Sequence, residues 1–454
     1  MTALSASEME HFDNDAVVDV STSIQEHPSL SEDFDDASRE RVFTVSERTL
    51  LIALEPGRAS VWKATLNIIN FIEGVGFLAL PFAVAKGGIA AVGAFIIMPI
   101  IYWFTARVLV ECLYNRHRVH GNVRVRSSWN EIGQAIWPRF GGTMVAVVQC
   151  FDLTVIATSY LIVCGSLMKS AFPSVPLTAA LWTCIAVAVV LPSTFLKSLS
   201  QIAWLSVIGI SALLGTAAVI LWYGATHHSQ WDLKSLLFWD TQGFLISLGI
   251  IMFSYGSAPI VPSVEESMAD RSKFGRALAL AYIAAVLFKL TFSIFGFLSF
   301  SFATDEIVIN NLPNNLPHII VSVVFVVSCL FSYALPLLAV FQCIEDSNTY
   351  FLLQTKVRLP RFVCFAGLRV LFVSVTLLAA AFIPHFGFLT SFFGNLSLPL
   401  FNCILPCAAH LFLRKKDLSC WQKALDYIMI LFGVLVSIFG TFVSAKALYE
   451  VLNQ

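Results

Sequence analysis

The sequence predicts an all-α protein that crosses a membrane many times. Of its 454 residues, 57% are hydrophobic and 13% are charged, whereas soluble domains carry about 25% charged residues. From Val61 onward, apolar segments recur at lengths near the roughly 20 residues that a spanning helix needs. Two of these segments are interrupted at their centres by glycine, proline and polar residues. Paired interruptions of this kind are typical of the substrate sites of secondary transporters.

About eleven spans are predicted from the apolar segments. They cover residues 61–84, 88–112, 142–168, 177–196, 201–224, 243–266, 277–302, 317–343, 362–384, 387–412 and 424–449. Residues 58–454 are therefore predicted to form one membrane domain. Residues 1–57 contain the acidic run Glu32, Asp33, Asp35 and Asp36 and almost no apolar periodicity, which predicts a disordered, acidic cytoplasmic tail.

The positive charges indicate the orientation, because cytoplasmic loops carry an excess of Lys and Arg. Five arginines lie between the second and third predicted spans, and alternate later loops are also basic. The opposite set of loops and the C-terminal end carry only Lys86, Lys169, Lys234 and Lys446. The N-terminus is therefore predicted to be cytoplasmic, and an odd number of spans places the C-terminus on the luminal side.

The interruptions lie in the first and sixth predicted spans, at residues 67–81 (NIINFIEGVGFLALP) and 254–265 (SYGSAPIVPSVE). A bilayer tolerates backbone groups freed by a broken helix only around a protein cavity. The two breaks therefore predict a substrate site near the middle of the membrane. Because each break begins a group of five spans, the sequence also predicts a five-plus-five inverted repeat with an eleventh helix appended.

Residues at the breaks are candidates for binding a substrate that carries both a carboxylate and an ammonium group. The amides of a half-helix N-terminus suit the carboxylate, and unwound carbonyl groups suit the ammonium. Gly74 and Gly76 leave the amides accessible, although close helix packing is the alternative explanation for them. The candidate substrate-binding residues are Asn70, Glu73, Gly74, Gly76, Ser254, Tyr255, Gly256 and Ser257.

Four ionisable side chains in the predicted spans are candidates for proton transfer or gating, because ionisable residues inside a membrane are rare and usually functional. Glu73 is predicted to hold the ammonium or carry a proton, or alternatively to cap the broken helix. Asp152 is predicted to be a proton or gating carboxylate, with a helix–helix hydrogen bond to a Thr or Tyr as the alternative. Lys289 is predicted to pair with Glu265 or Asp152, with snorkelling as the alternative. Glu265 is predicted to be a gate or ion-pair residue.

Other polar residues suggest further roles. Arg369 lies nearer the end of its span and is expected to snorkel. His385 is predicted to face the lumen, where an imidazole titrates near the acidity of the compartment, although a plain interfacial histidine is the alternative. If sodium is coupled, Ser328, Ser332 and Tyr333 of the eighth span are the candidate groups.

The remaining patterns concern the location of the protein in the cell and whether it is a metalloprotein, an enzyme or a nucleic-acid-binding protein. Glu47, Leu51 and Ile52 fit an acidic dileucine pattern, which predicts contact with clathrin adaptors and delivery to endosomes or synaptic-type vesicles. The ten cysteines show no spacing for zinc or a disulfide framework, so no metal or cofactor is expected. No Walker motif, G-x-S-x-G or H-E-x-x-H occurs in the sequence. An enzyme is therefore not expected, and nothing in the net charge of −1 suggests a nucleic-acid partner.

Several motifs carry a resemblance to a known family. The run WKATLNIINFIEGVGFLALPFAVAKGG (residues 62–88) resembles the first helix of the amino acid/auxin permease family. Further matches are VRVRSSW (123–129), LPSTFLKSL (191–199), ISLGIIMFSYGSAPIVPSVEESM (246–268), INNLP (309–313), SYALP (332–336) and IPHF (383–386). The resemblance covers about residues 61–450 in order, and it is closest to the vesicular inhibitory amino acid transporters. Those proteins have a Gln where this chain has Glu73, a Glu at the position of Asp152 and a Lys at the position of Lys289.

The resemblance implies a leucine-transporter-like fold and proton-linked movement of amino acids across an acidified organelle membrane, with GABA and glycine as substrates. Together with the helix breaks, it predicts a secondary transporter that exchanges luminal protons for small neutral amino acids by alternating access. A proton-coupled exporter of a lysosome or vacuole and an amino acid-sensing receptor are the alternatives. A channel is a third, against which the helix breaks argue.

Overall fold

The computed structural model describes residues 57–117, 121–195, 205–228, 231, 233–345 and 361–453. Within these ranges the chain is mostly helical. The helices are α1 (Val61–Ile72), α2 (Leu80–Leu113), α3 (Trp129–Ile136), α4 (Gly141–Ala171), α5 (Ala179–Val190), α6 (Leu205–Thr226), α7 (Thr241–Tyr255), α8 (Val261–Ser267), α9 (Phe274–Phe300), α10 (Leu316–Glu345), α11 (Arg361–Phe382), α12 (Phe386–Leu396), α13 (Leu405–Leu413), α14 (Cys420–Leu435) and α15 (Thr441–Leu452). Two short strands, β1 (Tyr114–His117) and β2 (Gly121–Arg124), pair antiparallel after α2.

Eight helical segments in the described part of the chain are long and apolar enough to cross a membrane, judged by length and composition. They are Val75–Leu113, Gly141–Ala171, Gly209–Thr226, Thr241–Ser267, Arg271–Ala303, Leu316–Ile344, Phe386–Leu413 and Cys420–Leu452. Two shorter apolar helices, Ala179–Val190 and Ala366–Phe382, accompany them. These segments confirm the predicted helical, multi-pass membrane protein.

The segment Val75–Leu113 joins the second half of the first predicted span directly to the second span. A bend at Gly88, where φ is 54°, separates the two parts. A Cβ atom at this position would lie 2.4 Å from the carbonyl oxygen of Phe238, and this backbone conformation is one that glycine adopts readily. The boundary between the first two predicted spans is therefore a bend inside α2 and not a loop.

The first helix break lies at Glu73 and Gly74. Helix α1 begins after Ser60, whose hydroxyl accepts a hydrogen bond from the Lys63 amide. After α1 ends, Glu73 has φ −82° and ψ 56°, and Gly74 is extended. A 3₁₀ turn follows, and α2 has Pro81 in its first turn, where proline is well tolerated. The break therefore coincides with the polar, glycine-containing centre of the first predicted interruption.

The second break lies at Gly256 and Ser257, between α7 and α8. Asp240 is the N-cap of α7, and its carboxylate accepts hydrogen bonds from two amides of the first turn. A 3₁₀ turn that contains Pro259 connects the break to α8, and Pro262 lies in the first turn of that helix. Since proline lacks an N–H, these positions interrupt a helix rather than continue it.

The broken helices lie in the core among the other long helices. Helix α1 packs against α8 and α9, and α7 packs against α2 and α12. The crossing of α7 and α12 is tight, because a Cβ atom on Gly394 would lie 2.0 Å from the carbonyl oxygen of Gly249. Helix α2 also packs against α9, α4 against α10, and α5 against α11.

The segment between α2 and α4 was expected to be a loop, and it is more ordered than that. The hairpin pairs Tyr114 with Arg124, and α3 follows with Ser128 as its N-cap. Short strands and an eight-residue helix carry too little periodicity to stand out beside the apolar spans. Residues 1–56, which include the candidate sorting residues Glu47, Leu51 and Ile52, lie outside the described residues.

Candidate substrate site

A cavity of about 640 Å³ lies at the two helix breaks. Six of the predicted substrate-binding residues line it, namely Asn70, Glu73, Gly74, Gly76, Ser254 and Gly256. Polar groups from α4 and α10 that also line it are Gln149, Tyr160, Ser328 and Ser332. Aromatic and aliphatic side chains form much of the remaining wall, including Phe71, Phe253, Phe325, Leu153 and Ile210. The fold thus brings the two interrupted segments to one shared cavity.

The cavity is accessible from one side. Asn67 of α1 and Ser263 of α8 line it and are exposed, and Asn70 is partly exposed. Beyond the first break, by contrast, residues 75–85 are all buried. The opening therefore lies beside α1 and α8, and the opposite side is closed by packed side chains.

Lys289 of α9 lies between the two breaks and is fully buried. Its ammonium donates hydrogen bonds to the carbonyl oxygens of Ile72, at 3.0 Å, and Ser254, at 2.5 Å. The same nitrogen lies 4.0 Å from Oε2 of Glu73 and 4.6 Å from the centre of the Tyr255 ring. One side chain therefore connects the last turn of α1 to the last turn of α7.

The predicted pairing of Lys289 with Glu265 or Asp152 is wrong, and so is the snorkelling alternative. Helix α9 packs on α1, which turns Lys289 toward Glu73 at the break. A charge that is buried and hydrogen-bonded in this way does not reach the membrane surface.

The carboxylate of Glu73 faces the cavity without a hydrogen-bond partner. Neither oxygen has one within the described residues, and the side chain is only 7% exposed. The carboxylate of Glu73 therefore does not cap the broken helix, which was the alternative role. Because an ionised carboxylate is an acceptor with several free positions, this group can bind an ammonium group that enters the cavity.

The two glycines of the first break have different surroundings. A Cβ atom added to Gly74 would be no closer than 3.8 Å to any other group, and one of its nearest atoms is the hydroxyl oxygen of Tyr160. A Cβ atom on Gly76 would lie 3.0 Å from Cδ1 of Phe253 in α7. Gly74 therefore leaves the cavity side of the first 3₁₀ amides open, whereas Gly76 allows the broken helices to pack closely.

Tyr160 is a site residue that the sequence analysis missed. It lines the cavity, and its hydroxyl lies close to the Val75 amide and to Ser332. The sequence signal was a tyrosine in the middle of an otherwise apolar span, which by itself does not show which face of the helix meets the cavity.

Three other candidates lie behind the cavity wall. The hydroxyl of Tyr255 is 3.5 Å from the carbonyl oxygen of Phe95, and the hydroxyl groups of Ser257 and Tyr282 are 2.7 Å apart. Asp152 is 5% exposed, and its carboxylate lies close to the hydroxyl of Ser397. The alternative of a hydrogen bond from Asp152 to a Thr or Tyr is therefore not observed.

Glu265 of α8 forms a buried ion pair with Arg124 of the hairpin. Oε2 of Glu265 lies 3.2 Å from Nε of Arg124, and the side chains are 0% and 1% exposed. The hydroxyl of Tyr114 donates a hydrogen bond to the other carboxylate oxygen. Arg124 also reaches Glu266 at 3.3 Å. The ion pair fastens the hairpin to α8 next to the cavity entrance, and it explains why Glu265 does not pair with Lys289.

On the closed side, the N-terminus of α12 is tied to the segment before α10. Nδ1 of His385 lies 2.9 Å from Oε1 of Glu306, whose other oxygen accepts a hydrogen bond from the Gly387 amide at 2.7 Å. The hydrogen bond with Glu306 raises the pKa of His385 above its ordinary value. The Lys86 ammonium lies 5.7 Å from the centre of the Phe388 ring. The contacts of Glu306 hold α12 against the segment before α10, and that of Lys86 holds it against α2.

The expectation that Arg369 snorkels is wrong. Its side chain is buried, its Nε donates to the carbonyl oxygen of Thr194 at 3.0 Å, and its guanidinium lies 4.6 Å from the centre of the Phe341 ring. Arg369 therefore connects α11 to the 3₁₀ turn that follows α5 and to α10.

The residues considered for a sodium site separate in the structure. Ser328 and Ser332 line the cavity. Tyr333 points elsewhere, because its hydroxyl lies 2.7 Å from the hydroxyl of Thr376. Of the three candidates, two are therefore placed where they can meet an ion in the cavity.

Comparison with known proteins identifies the family. The model of a family described as "Transmembrane amino acid transporter protein" matches residues 57–446. The vesicular inhibitory amino acid transporter of Xenopus tropicalis is 31% identical over 408 residues, which is 87% of this chain and 78% of that protein. The vesicular GABA transporter of Caenorhabditis elegans is 30% identical over 406 residues (87% and 81%). The amino acid transporter AVT1D of Arabidopsis thaliana is 24% identical over 410 residues (88% and 72%).

These matches confirm the resemblance seen in the sequence motifs and the expectation that the protein is not an enzyme. The matched region begins before α1 and ends within α15, so it includes both helix breaks and every residue that lines the cavity. The chain belongs to the transmembrane amino acid transporter family.

Proposed function

We propose that this protein is a proton-coupled secondary transporter that loads small neutral amino acids, similar to GABA and glycine, into acidic vesicles by alternating access. The observation that carries the proposal is the cavity at the two helix breaks. It opens on one side, and it contains the carboxylate of Glu73, whose oxygens have no hydrogen-bond partner within the described residues. The relatives named as vesicular GABA and inhibitory amino acid transporters support the substrate class and the vesicular location.

The proposed architecture is a leucine-transporter-like five-plus-five inverted repeat with an eleventh span. The positions of the breaks support it, because they lie in the first and sixth predicted spans, which are the first spans of the two repeats. The packing supports it as well, since α2 contacts α9, α4 contacts α10 and α5 contacts α11. In a repeat of five, these pairs are the second span with the seventh, the third with the eighth, and the fourth with the ninth.

The substrate is proposed to bind with its carboxylate at the 3₁₀ amides after Gly74 and its ammonium at Glu73. The amides of a helical N-terminus attract anions, and Tyr160 adds a hydroxyl beside them. Asn70, Ser254 and the backbone at Gly76 and Gly256 form the adjoining wall. Tyr255 and Ser257 support this wall from behind.

Asp152, Glu265 and Lys289 are proposed to couple protons to the conformational change. Glu265 would leave Arg124 when α8 and the hairpin separate, and Lys289 would respond to the charge on Glu73. A difference of one pH unit supplies about 1.4 kcal/mol per proton, and 100 mV supplies about 2.3 kcal/mol per charge moved. Exchange of one proton for one zwitterion would therefore give moderate accumulation.

The proposed orientation has the N-terminus in the cytoplasm and the C-terminus in the vesicle lumen. In this orientation the cavity opens toward the cytoplasm, as a loading state requires. Residues 1–57 would form a cytoplasmic tail in which Glu47, Leu51 and Ile52 contact a clathrin adaptor. Replacement of Leu51 and Ile52 by alanine is expected to move the protein from vesicles to the cell surface, as fluorescence microscopy of the tagged chain would show.

The proposal is tested with the purified chain in proteoliposomes. Uptake of labelled GABA, glycine, alanine and glutamate is measured while the pH difference and the voltage are varied separately, with the Glu73→Gln variant measured beside the wild type. We expect uptake of GABA or glycine that disappears when the pH difference is removed. If acidified proteoliposomes take up none of these compounds, the proposal is wrong.

Two alternatives have distinct outcomes in the same assay. An exporter would release preloaded amino acid when protons are present on the luminal side. A receptor would bind amino acid without turnover, and removal of residues 1–57 would abolish signalling but leave binding intact.

A further inference from the structure

Two main-chain carbonyl groups at the helix breaks already bind a cation, the ammonium of Lys289. Ile72 is the last residue of α1, and Ser254 is in the final turn of α7. The Lys289 ammonium donates a hydrogen bond to each of these carbonyl oxygens and is fully buried, so it contacts no solvent. Carbonyl groups at the breaks were expected to hold a substrate ammonium.

The surroundings of Lys289 match those that a small cation requires. An ammonium group has three N–H donors and no acceptor. Two of these donors meet carbonyl oxygens, and Glu73 lies 4.0 Å from the nitrogen. The face of the Tyr255 ring, 4.6 Å away, adds a favourable contact for a cation. Two main-chain carbonyls, a carboxylate and an aromatic face therefore surround a single positive charge.

A buried charge is retained only where such partners are present, because an isolated charge in an apolar interior is very unfavourable. An arginine would not fit this position as well as Lys289, because a guanidinium is planar and larger whereas an ammonium is compact. The site is therefore built for a compact cation, and α9 supplies that cation permanently.

We infer that Lys289 is a tethered occupant of the cation position between the two helix breaks. Neither a free alkali cation nor the substrate amine then binds the carbonyl groups of Ile72 and Ser254. The amine is left to Glu73, whose carboxylate oxygens have no hydrogen-bond partner within the described residues. This last step rests on the proposed function, whereas the occupied cation position does not.

The inference is tested by emptying the position. The full chain in detergent is compared as wild type, Lys289→Met and Lys446→Met. The last is a matched control because Lys446 is exposed and forms an ion pair with Glu450 in the same helix. Thermal unfolding is followed in methylammonium, sodium and N-methylglucamine chlorides at equal ionic strength. We expect methylammonium to raise the Tm of Lys289→Met saturably, by an amount that neither the wild type nor Lys446→Met shows. Equal Tm values for Lys289→Met in methylammonium and N-methylglucamine would overturn the inference.

Loss of folding in Lys289→Met is itself informative. If the variant is purified in methylammonium, exchange into N-methylglucamine should convert a single size-exclusion peak into aggregate, and this conversion supports the inference. Aggregation to the same extent in both salts contradicts it.

The role of Glu73 is measured separately by binding of labelled GABA and glycine to the wild type, Glu73→Ala and Glu73→Asp. Loss of binding in Glu73→Ala with partial recovery in Glu73→Asp supports recognition of the amine by the side chain of Glu73, and unchanged binding in Glu73→Ala contradicts it. If methylammonium stabilises Lys289→Met while the wild type transports no amino acid, the proposed function fails and the occupied cation position stands. If the wild type transports amino acid while methylammonium does not stabilise Lys289→Met, the proposed function stands and the occupied cation position is wrong.

Discussion

Several buried charges in this protein meet partners from other parts of the chain. Lys289 meets Glu73 across the first break, and Arg124 of the hairpin meets Glu265 of α8. The sequence indicated that these residues are unusual, because charges are rare in apolar spans. It could not indicate which charge meets which, since the partner depends on how helices distant in the chain are packed. Glu73 and Glu265 were candidates from the sequence, and the structure places one at the cavity and the other in a buried ion pair, while the predicted partner of Lys289 was wrong.

Substitution of Glu265 should be far more damaging than substitution of its neighbour Glu266. Glu265→Gln leaves Arg124 buried with its main partner neutralised, and breaking a buried ion pair costs about 3–5 kcal/mol. Glu266 is 44% exposed, and loss of an exposed pair costs less than about 1 kcal/mol. The Tm of both variants, measured in the same detergent, checks this expectation. Similar losses in the two variants would show that the buried pair does not stabilise α8.

The contact between His385 and Glu306 should make stability depend on pH. Because the hydrogen bond with Glu306 raises the pKa of His385 in the folded protein, its stabilising contribution is complete below the unfolded value of about 6.5. The contribution is lost as the pH rises through the higher folded value. His385→Gln should therefore lower the Tm at about pH 5.5 and have little effect at about pH 9. Glu306→Gln should give the same profile, and a pH-independent difference for either variant would contradict this explanation.

At the scale of helices, local composition determined what the sequence could predict. Both breaks were expected, because glycine, proline and polar residues cluster there and disfavour a continuous helix, and the structure places the breaks at Gly74 and Gly256. The hairpin and α3 were not expected, because their positions depend on contacts such as that between Arg124 and Glu265. The cavity wall from α4, including Tyr160, was missed for the same reason.

The crossing of α7 and α12 depends on glycine. A Cβ atom on Gly249 would lie 2.2 Å from the carbonyl oxygen of Ser391, so Gly249→Ala must move one backbone away from the other and should cost at least about 1–3 kcal/mol. Gly93 of α2 is the matched control, because a Cβ atom there meets nothing within 4 Å. Gly93→Ala should be neutral or stabilise the helix by up to about 1 kcal/mol. Thermal unfolding of both variants is the measurement, and a tolerated Gly249→Ala would mean that the helices are not in backbone contact.

At the scale of the whole molecule, the cavity is open beside α1 and α8 and closed beyond residue 74. The closed side is held by the contact between His385 and Glu306, and the hairpin is fastened to α8 by Arg124 and Glu265. Alternating access would require the first set of contacts to open while the cavity entrance closes. The family and the multi-pass character could be predicted from motifs and apolar segments, whereas the direction of opening required the packed structure.

The measurement that tests proton exchange most directly is the luminal pH of acidified proteoliposomes, followed with a trapped dye when GABA or glycine is added outside. The account predicts an alkalinisation that saturates with amino acid concentration and disappears in Glu73→Ala. Voltage is clamped with potassium and valinomycin so that charge movement does not limit the exchange. Uptake of labelled amino acid without any change in luminal pH would contradict proton coupling and, with it, the central claim.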